Sequence, residues 1–433
     1  MSHIILRKQR VRRRQRTVPC LLLLICLLTG CYYADSQVDS LSNKNFSLAQ
    51  AASQAAADQE NSAIQSLKED PIWTDADSFR AMVISDLHYT LKQDQDHTLV
   101  PGIAEADRIT DALIEEVIDR HPDVLIMTGD NTNTGNPEDV STLVAKLQKV
   151  KDSGVSLIIT TGNHDFDQMD EAEYETAYFP LLEPVDRDPA SLSYTAIIKN
   201  TVFLAMDDHD EEIDWQGKFS SETLTWIRDM LDKYRDHTVI FLTHHNVLYG
   251  AGEENADTHL ILNPELPELL RQGGAGLVMS GHMHMQYITE KDGLWEILSG
   301  MPFAGSHLIG NLAVSGSRIL YYADPANLAR YDPAAKEALD RLDQESSDYM
   351  SQIFSEILTE KGLKSYKKKR VMNLIRWFLY YYNTGTLAEH RQEFLEDPSY
   401  ELMLKAIQDT NYGPWVKMMI ETTRRQGTVL CLP

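Results

Sequence analysis

Short runs of apolar residues recur through the middle of the chain, and each ends in a cluster of Gly, Asp, Asn or His. Phe79-Arg80-Ala81-Met82-Val83-Ile84-Ser85 leads into Asp86-Leu87-His88, and Asp123-Val124-Leu125-Ile126-Met127 leads into Gly129-Asp130-Asn131. Val155-Ser156-Leu157-Ile158-Ile159 leads into Thr161-Gly162-Asn163-His164-Asp165. Thr238-Val239-Ile240-Phe241-Leu242 precedes Thr243-His244-His245-Asn246, and Leu277-Val278-Met279 precedes Gly281-His282-Met283-His284. Runs this short and rich in β-branched residues predict buried strands. Ile109, Leu113 and Val117 recur at helical spacing before Pro122, and Leu143 and Leu147 mark a second helix. Strand and helix in alternation imply right-handed crossovers and a largely parallel sheet, with the polar ends on one edge. In an extended backbone residues two apart point the same way, so Asp86 would face with His88 and His282 with His284.

Further along, 193–198 and 201–206, split by Lys199-Asn200, predict a hairpin. Ser220 to Tyr234 predicts a helix with Thr223, Trp226, Ile227 and Met230 inward, and Asp207 and Asp208 end a strand. From Asp324 the pattern changes to helices without strands. Val371, Leu374, Ile375, Phe378, Leu379 and Tyr382 share one apolar face. The basic stretch 361–370 stands before it. Packing of this helix on the rest of the protein, with a solvated lysine face, is the preferred reading; contact with anionic lipid headgroups is the other.

The 433 residues allow two or three domains, and 43% hydrophobic with 24% charged residues is ordinary for a globular chain. The net charge is −25. Arg7, Lys8, Arg10, Arg12, Arg13, Arg14 and Arg16 all precede residue 31, where no acid occurs, so the chain beyond is more acidic still. Such a surface repels nucleic acid polymers, and none is expected as a partner.

That basic run precedes 18–28, an apolar stretch short of the about 20 residues a comfortable span needs. It fits a signal-peptide core. Leu28-Thr29-Gly30-Cys31 resembles the bacterial lipoprotein cleavage box, which implies that Cys31 becomes the lipid-bearing first residue. An uncleaved anchor helix is the alternative. Either way the chain is expected outside the cytoplasm and tied to the cell membrane. Lipidation would leave Cys431 without an intramolecular partner. Residues 32–70 read as a tether, partly helical through 48–67.

Five strand ends bearing Asp-x-His, Gly-Asp, Gly-Asn-His-Asp, His-His and Gly-His-x-His, in that order, resemble the calcineurin-like metallophosphoesterases. The resemblance covers about Phe79 to Tyr322. It implies an α/β fold, a β-sandwich flanked by helices in four αββα layers, here with a C-terminal α-helical domain. With the lipoprotein box, the polar tether and the C-terminal helical pattern, the chain parses into signal peptide 1–30, tether 31–78, catalytic domain 79–322 and helical domain 323–433. The resemblance also implies two metal ions. Asp86, His88 and His284 would hold one, Asn163, His244 and His282 the other, and Asp130 would bridge them. His164 would bind no metal and sit over the leaving group. His245, Asn246 and Asp165 are candidates to steady the ligands from outside the metal's own contacts, or to touch substrate. His209, His259 and His307 read as solvated loop residues.

A phosphodiester is anionic and resists nucleophiles. Two cations about 3.5–4 Å apart clamp the phosphoryl oxygens and acidify a shared water, giving hydroxide to attack. Mixed nitrogen and oxygen ligands suit Mn, Fe, Zn, Co or Ni over Mg or Ca. Serine/threonine phosphatases of this superfamily carry an Asp where Asn133 stands. Gly129-Asp130-Asn131-Thr132 is instead similar to the loop of bacterial class III cyclic nucleotide phosphodiesterases, with Asn131 in place of the usual Leu and Asn246 in place of a Pro. The expectation is a two-metal phosphodiesterase with a small phosphoester substrate, cyclic nucleotides foremost, and no protein partner. The alternatives are a phosphomonoesterase, a hydrolase of envelope phosphodiesters, or a non-catalytic metal-containing binding lipoprotein.

Overall fold

A computed structural model describes residues 75–91, 105–210, 213, 216–248, 261–303, 307–383, 387–410, 412–421 and 427–433. The signal segment, Cys31, most of the tether and the whole of loop 249–259 with His259 lie outside the described residues.

The first sheet has strand order β13-β12-β11-β1-β2-β3. β1 (Ser78–Ile84), β2 (Val124–Thr128) and β3 (Ser156–Thr160) are parallel. They are joined through α1 (Ala106–Arg120) and α2 (Pro137–Asp152). α1 stops where His121 turns left-handed ahead of Pro122. α2 starts on Asn136, whose side chain accepts from the Glu138 N–H, followed by Pro137 with its preset φ. β11 (Leu308–Ser315), β12 (Arg318–Pro325) and β13 (Val429–Leu432) extend this sheet antiparallel.

The second sheet runs β4-β5-β6-β7-β8-β10-β9. β4 (Asp186–Arg187), β5 (Tyr194–Ile198) and β6 (Thr201–Ala205) form an antiparallel edge. β6, β7 (Thr238–Leu242), β8 (Leu277–Ser280) and β10 (Leu294–Leu298) are parallel, and β9 (Tyr287–Lys291) closes the far edge antiparallel.

The sheets pack face to face. Phe203, Ala205, Ile240, Leu242, Leu277 and Met279 point inward to the core shared with β1 to β3, and Phe79 meets Phe203 edge-on at 5.9 Å. The alternate residues Val202, Leu204, Val239, Phe241 and Val278 pack outward on α4 (Ser221–Lys233) and α5 (Leu266–Gln272). This two-residue alternation makes the central strands read as unbroken apolar runs. α3 (Glu171–Tyr178) follows β3 behind an Asp170–Glu173 capping box. On α4, Thr223, Trp226 and Ile227 are buried as the pattern predicts, and Leu231 is buried where Met230 is only half-buried.

Beyond β12 come α6 (Pro333–Glu360), α7 (Ser365–Asn383), α8 (Leu387–Glu396), α9 (Tyr400–Ile407) and α10 (Tyr412–Glu421). Val371, Leu374, Ile375, Phe378 and Leu379 are buried in one cluster with Phe354, Leu358, Phe394 and Met403. Met285, Tyr287 and Leu298 of the second sheet belong to the same cluster, so these helices pack on its β9 edge. The expectation of helices alone after Asp324 is corrected: the chain returns as β13 to pair with β12. Val429-Leu430-Cys431-Leu432 is too short for its periodicity to announce a strand. No described helix is long and apolar enough to cross a membrane.

Candidate metal centre

The polar strand ends meet on one edge where the two sheets face. They do not continue the strands. Asp86, His88, Asp130, His282 and His284 all have left-handed φ, at 52°, 42°, 48°, 67° and 54°. The expectation of extended residues pairing on one face is therefore corrected, because turns rather than the pleat aim these side chains. A left-handed non-glycine residue costs about 1–3 kcal/mol and persists only where its surroundings enforce it. Here the turns hold one another. Asp86 N–H donates to Gly129 O at 3.2 Å, His88 N–H to Asp130 O at 2.9 Å, and Gly281 N–H to His244 O at 3.0 Å.

Two groups of potential ligands result. In the first, Asp86, His88, Asp130 and His284 each bring one donor atom within 4.8 Å of the others. His284 Nε2 lies 3.3 Å from Asp86 Oδ1 and 2.9 Å from His88 Nε2. In the second, His244, His245 and His282 meet the same limit. His282 Nδ1 lies 3.3 Å from His244 Nε2. Asp130 joins the groups: its Oδ2 is 3.5 Å from His88 Nε2 and 3.2 Å from His244 Nε2. His282 and His284, only two residues apart, fall in different groups.

These residues fit a pair of cations. Buried polar atoms are normally hydrogen-bonded. Yet Asp130 Oδ2 and the Asn163 side-chain carbonyl are buried and accept no hydrogen bond. Two imidazole nitrogens crowding one carboxylate oxygen make poor geometry for a hydrogen bond and good geometry for ions between them. Burial pushes the His88 imidazole down to about 3 despite the pull of Asp130, so it is neutral, as a ligand must be. At His244 burial also lowers the pKa, but the Asp130 charge outweighs it and holds the ring up to about 10. Burial would raise Asp130, yet the facing histidines keep it well below the carboxylate range. The centre thus demands positive charge, which a cation would meet with the His244 proton displaced.

The surroundings fix these side chains. Ser85 Oγ donates to Asp86 Oδ2 at 2.6 Å, and the His282 N–H to Asp86 Oδ1 at 2.9 Å. A Cβ on Gly281 would stand 1.9 Å from Ser85 Oγ, so only glycine lets this strand end approach. Asp165 accepts from the backbone N–H of Thr132 at 2.9 Å, of Gly162 at 3.1 Å and of Asn131 at 3.2 Å, and from the Asn131 amide at 2.8 Å. It thereby ties the loop of Asp130 to that of Asn163. Burial and the charge of Asp130 push Asp165 up to about 6. Asn246 donates to Ser280 Oγ at 3.3 Å. His164 is half-buried, with its ring 4.7 Å from that of His88, and its backbone N–H donates to Asp130 Oδ1 at 2.9 Å.

One supporting residue escapes the strand-end pattern. Glu296 is fully buried on β10 and accepts from the N–H groups of Val247 at 2.9 Å and Leu248 at 2.6 Å and from Ser280 Oγ at 2.8 Å. It therefore clamps the His244 loop to the strand leading into His282. A lone charge inside Leu294-Trp295-Glu296-Ile297-Leu298 is the signal that could have found it. Asp207 accepts from Thr161 Oγ1 at 2.7 Å, and Asp208 grips His245; both sit at the end of β6, so the strand-end rule reaches them too. His209, expected in solvent, stacks on Phe166 at 4.2 Å. His307 is half-buried, with Nδ1 3.1 Å from Pro302 O.

Residues 79–286 match the calcineurin-like phosphoesterase family. A protein described as "Probable cyclic nucleotide phosphodiesterase" from Synechococcus is 28% identical over 171 residues, 39% of this chain and 60% of that relative, so less than two-thirds of its length is matched. A glycerophosphodiester phosphodiesterase from Enterobacter lignolyticus is 24% identical over 216 residues, 48% of this chain and 71% of the relative. A dimetal phosphatase structure from Danio rerio aligns at a TM-score of 0.48 and 16% identity, over 57% of this chain and 96% of that one.

Proposed function

With residues 79–286 forming a calcineurin-like metallophosphoesterase domain, we propose that the chain is a two-metal hydrolase of phosphodiesters, cyclic nucleotides foremost. The family match, the ligand groups and the phosphodiesterase-named relatives support a metal-dependent phosphoester hydrolase. The observation that carries the two-metal reading is Asp130 Oδ2, set 3.5 Å from His88 Nε2 in one group and 3.2 Å from His244 Nε2 in the other. Asp86, His88 and His284 would hold one ion, Asn163, His244 and His282 the second, with Asp130 shared. Bound there, two cations neutralise the phosphoryl oxygens and acidify water for attack.

The chain's own part in the chemistry is positioning and proton handling. Asp165 and Glu296 keep the ligand loops in register, so little reorganisation accompanies reaction. His164 is half-buried beside His88 of the first group and belongs to neither group of potential ligands. It would donate its proton to the departing alkoxide. A binding protein without turnover has no evident use for that ring. The substrate preference rests on the relative named for cyclic nucleotides; the relative named for glycerophosphodiesters supports other small diesters as the second reading. Localisation at the outer face of the cell membrane, through lipid on Cys31, belongs to the same proposal.

Kinetics of the Mn-loaded protein on cyclic AMP, glycerophosphocholine, bis-nitrophenyl phosphate and nitrophenyl phosphate test this reading. The diesters should turn over with higher kcat/KM than the monoester, and cyclic AMP best of the natural ones. Preference for the monoester would overturn the diesterase assignment.

A further inference from the structure

His245 is buried, and its Nδ1 lies 2.9 Å from Asp208 Oδ1. Asp208 is buried as well. Its Oδ2 accepts from Thr243 Oγ1 at 2.6 Å and from the backbone N–H groups of His245 at 2.8 Å and His244 at 3.2 Å. A carboxylate so satisfied accepts only, so His245 Nδ1 carries a hydrogen, and Nε2 is the nitrogen left to offer a lone pair to a cation. That Nε2 is buried and has no hydrogen-bond partner. Its ring stands 4.3 Å from the His282 ring and 5.0 Å from the His244 ring. One donor atom from each of the three lies within 4.8 Å of the others, and two nitrogens on opposite sides of one ion stand about 4 Å apart.

The chain closes over this pair. A Cβ on Gly217 would lie 3.0 Å from His245 Nδ1 and 3.1 Å from Asp208 Cγ. Lys218 N–H donates to Asp208 O at 2.9 Å, and Leu262 N–H to Gly217 O at 2.7 Å. An imidazole held by a buried carboxylate at one nitrogen and bare at the other is how proteins present histidine to a metal.

We propose that His245 Nε2 is a ligand of the cation held by His244 and His282, with Asp208 as the carboxylate that orients it. This rests on the two-metal reading above. The second ion would then take three histidines beside Asn163 and Asp130, giving it a more nitrogen-rich set than the first.

The experiment titrates the full chain, stripped with chelator, with Zn(II) alone against a chromophoric competitor. Wild type should bind two ions. His245→Ala should keep one at wild-type affinity and lose more than 100-fold for the other, and Asp208→Asn should weaken that same ion by about 10–100-fold. His245→Gln, which preserves more of the packing, is loaded with Co(II), and its visible spectrum should differ from wild type. Two ions at wild-type affinity in His245→Ala, or an unchanged Co(II) spectrum in His245→Gln, would overturn the assignment. The same holds if inorganic phosphate inhibits less while both ions remain. Fewer than two ions in wild type would instead sink the two-metal reading on which it stands.

Discussion

The imidazole of His164 lies with Nδ1 3.0 Å from the backbone carbonyl of Asn133. A carbonyl oxygen only accepts, so Nδ1 donates and Nε2 is the end free for proton transfer. The main chain at Asn133 thus orients this ring, although the side chain there is not the carboxylate that protein phosphatases place at this position. His164→Ala should keep both metals and lower kcat by about 10²–10⁴-fold, with little change in KM. A nitrophenolate leaves without a proton, so bis-nitrophenyl phosphate should suffer far less than cyclic AMP. Equal losses on both substrates would remove the acid role.

One oxygen of Asp130 lies beside an imidazole nitrogen of each ligand group, at 3.5 Å from His88 and 3.2 Å from His244. Asp130→Ala should lose both ions, or hold one weakly, in elemental analysis of the purified protein. Full metal content in that variant would refute the bridge.

Burial pushes Glu296 up to about 7, against the hydrogen bonds from Val247, Ser280 and Leu248. The unfolded chain releases this proton near 4.5 and the folded one near 7, so between them the folded state binds more protons. Stability from this group is therefore present below about 4.5 and lost as pH rises to about 7. Glu296→Gln cannot lose that proton. It also turns a donor toward the Leu248 N–H, at a cost of about 1–3 kcal/mol. Urea midpoints at pH 5 and 7.5 should show wild type falling relative to the variant as pH rises. Parallel pH profiles would show that Glu296 keeps an ordinary pKa.

Phe378 is fully buried in the cluster that joins the C-terminal helices to Met285, Tyr287 and Leu298. Phe378→Ala should cost about 3–5 kcal/mol. Because Met285 follows His284 directly, the loss should spread to the metal centre, and metal retention on gel filtration should fall with it. A drop in thermal midpoint with metal binding untouched would show that the helices are an independent unit.

Cys31 is proposed as the lipid-bearing residue. Cells expressing the protein and fed a fatty-acid analogue should label wild type and leave Cys31→Ser unlabelled. Equal labelling would move the anchor elsewhere.

The sequence alone determined the parts that depend on near neighbours. Strands end where apolar runs stop, α2 starts at Asn136-Pro137, and the order of Asp-x-His, Gly-Asp, Gly-Asn-His-Asp, His-His and Gly-His-x-His named the candidate ligands. Periodicity and capping act over a few residues, so they are legible in one dimension. Local pattern did not say which ligands meet; the family resemblance implied the grouping, and the tertiary structure supplied the geometry that brings them together. His88 and His284 are 196 residues apart, yet their Nε2 atoms lie 2.9 Å apart, while neighbouring His282 and His284 part company. The left-handed turns at Asp86, His88, Asp130, His282 and His284 are held by backbone bonds between strand ends that no local pattern brings together. Glu296 and β13 were hidden for the same reason: a buried charge or a four-residue strand gains its meaning from what packs against it.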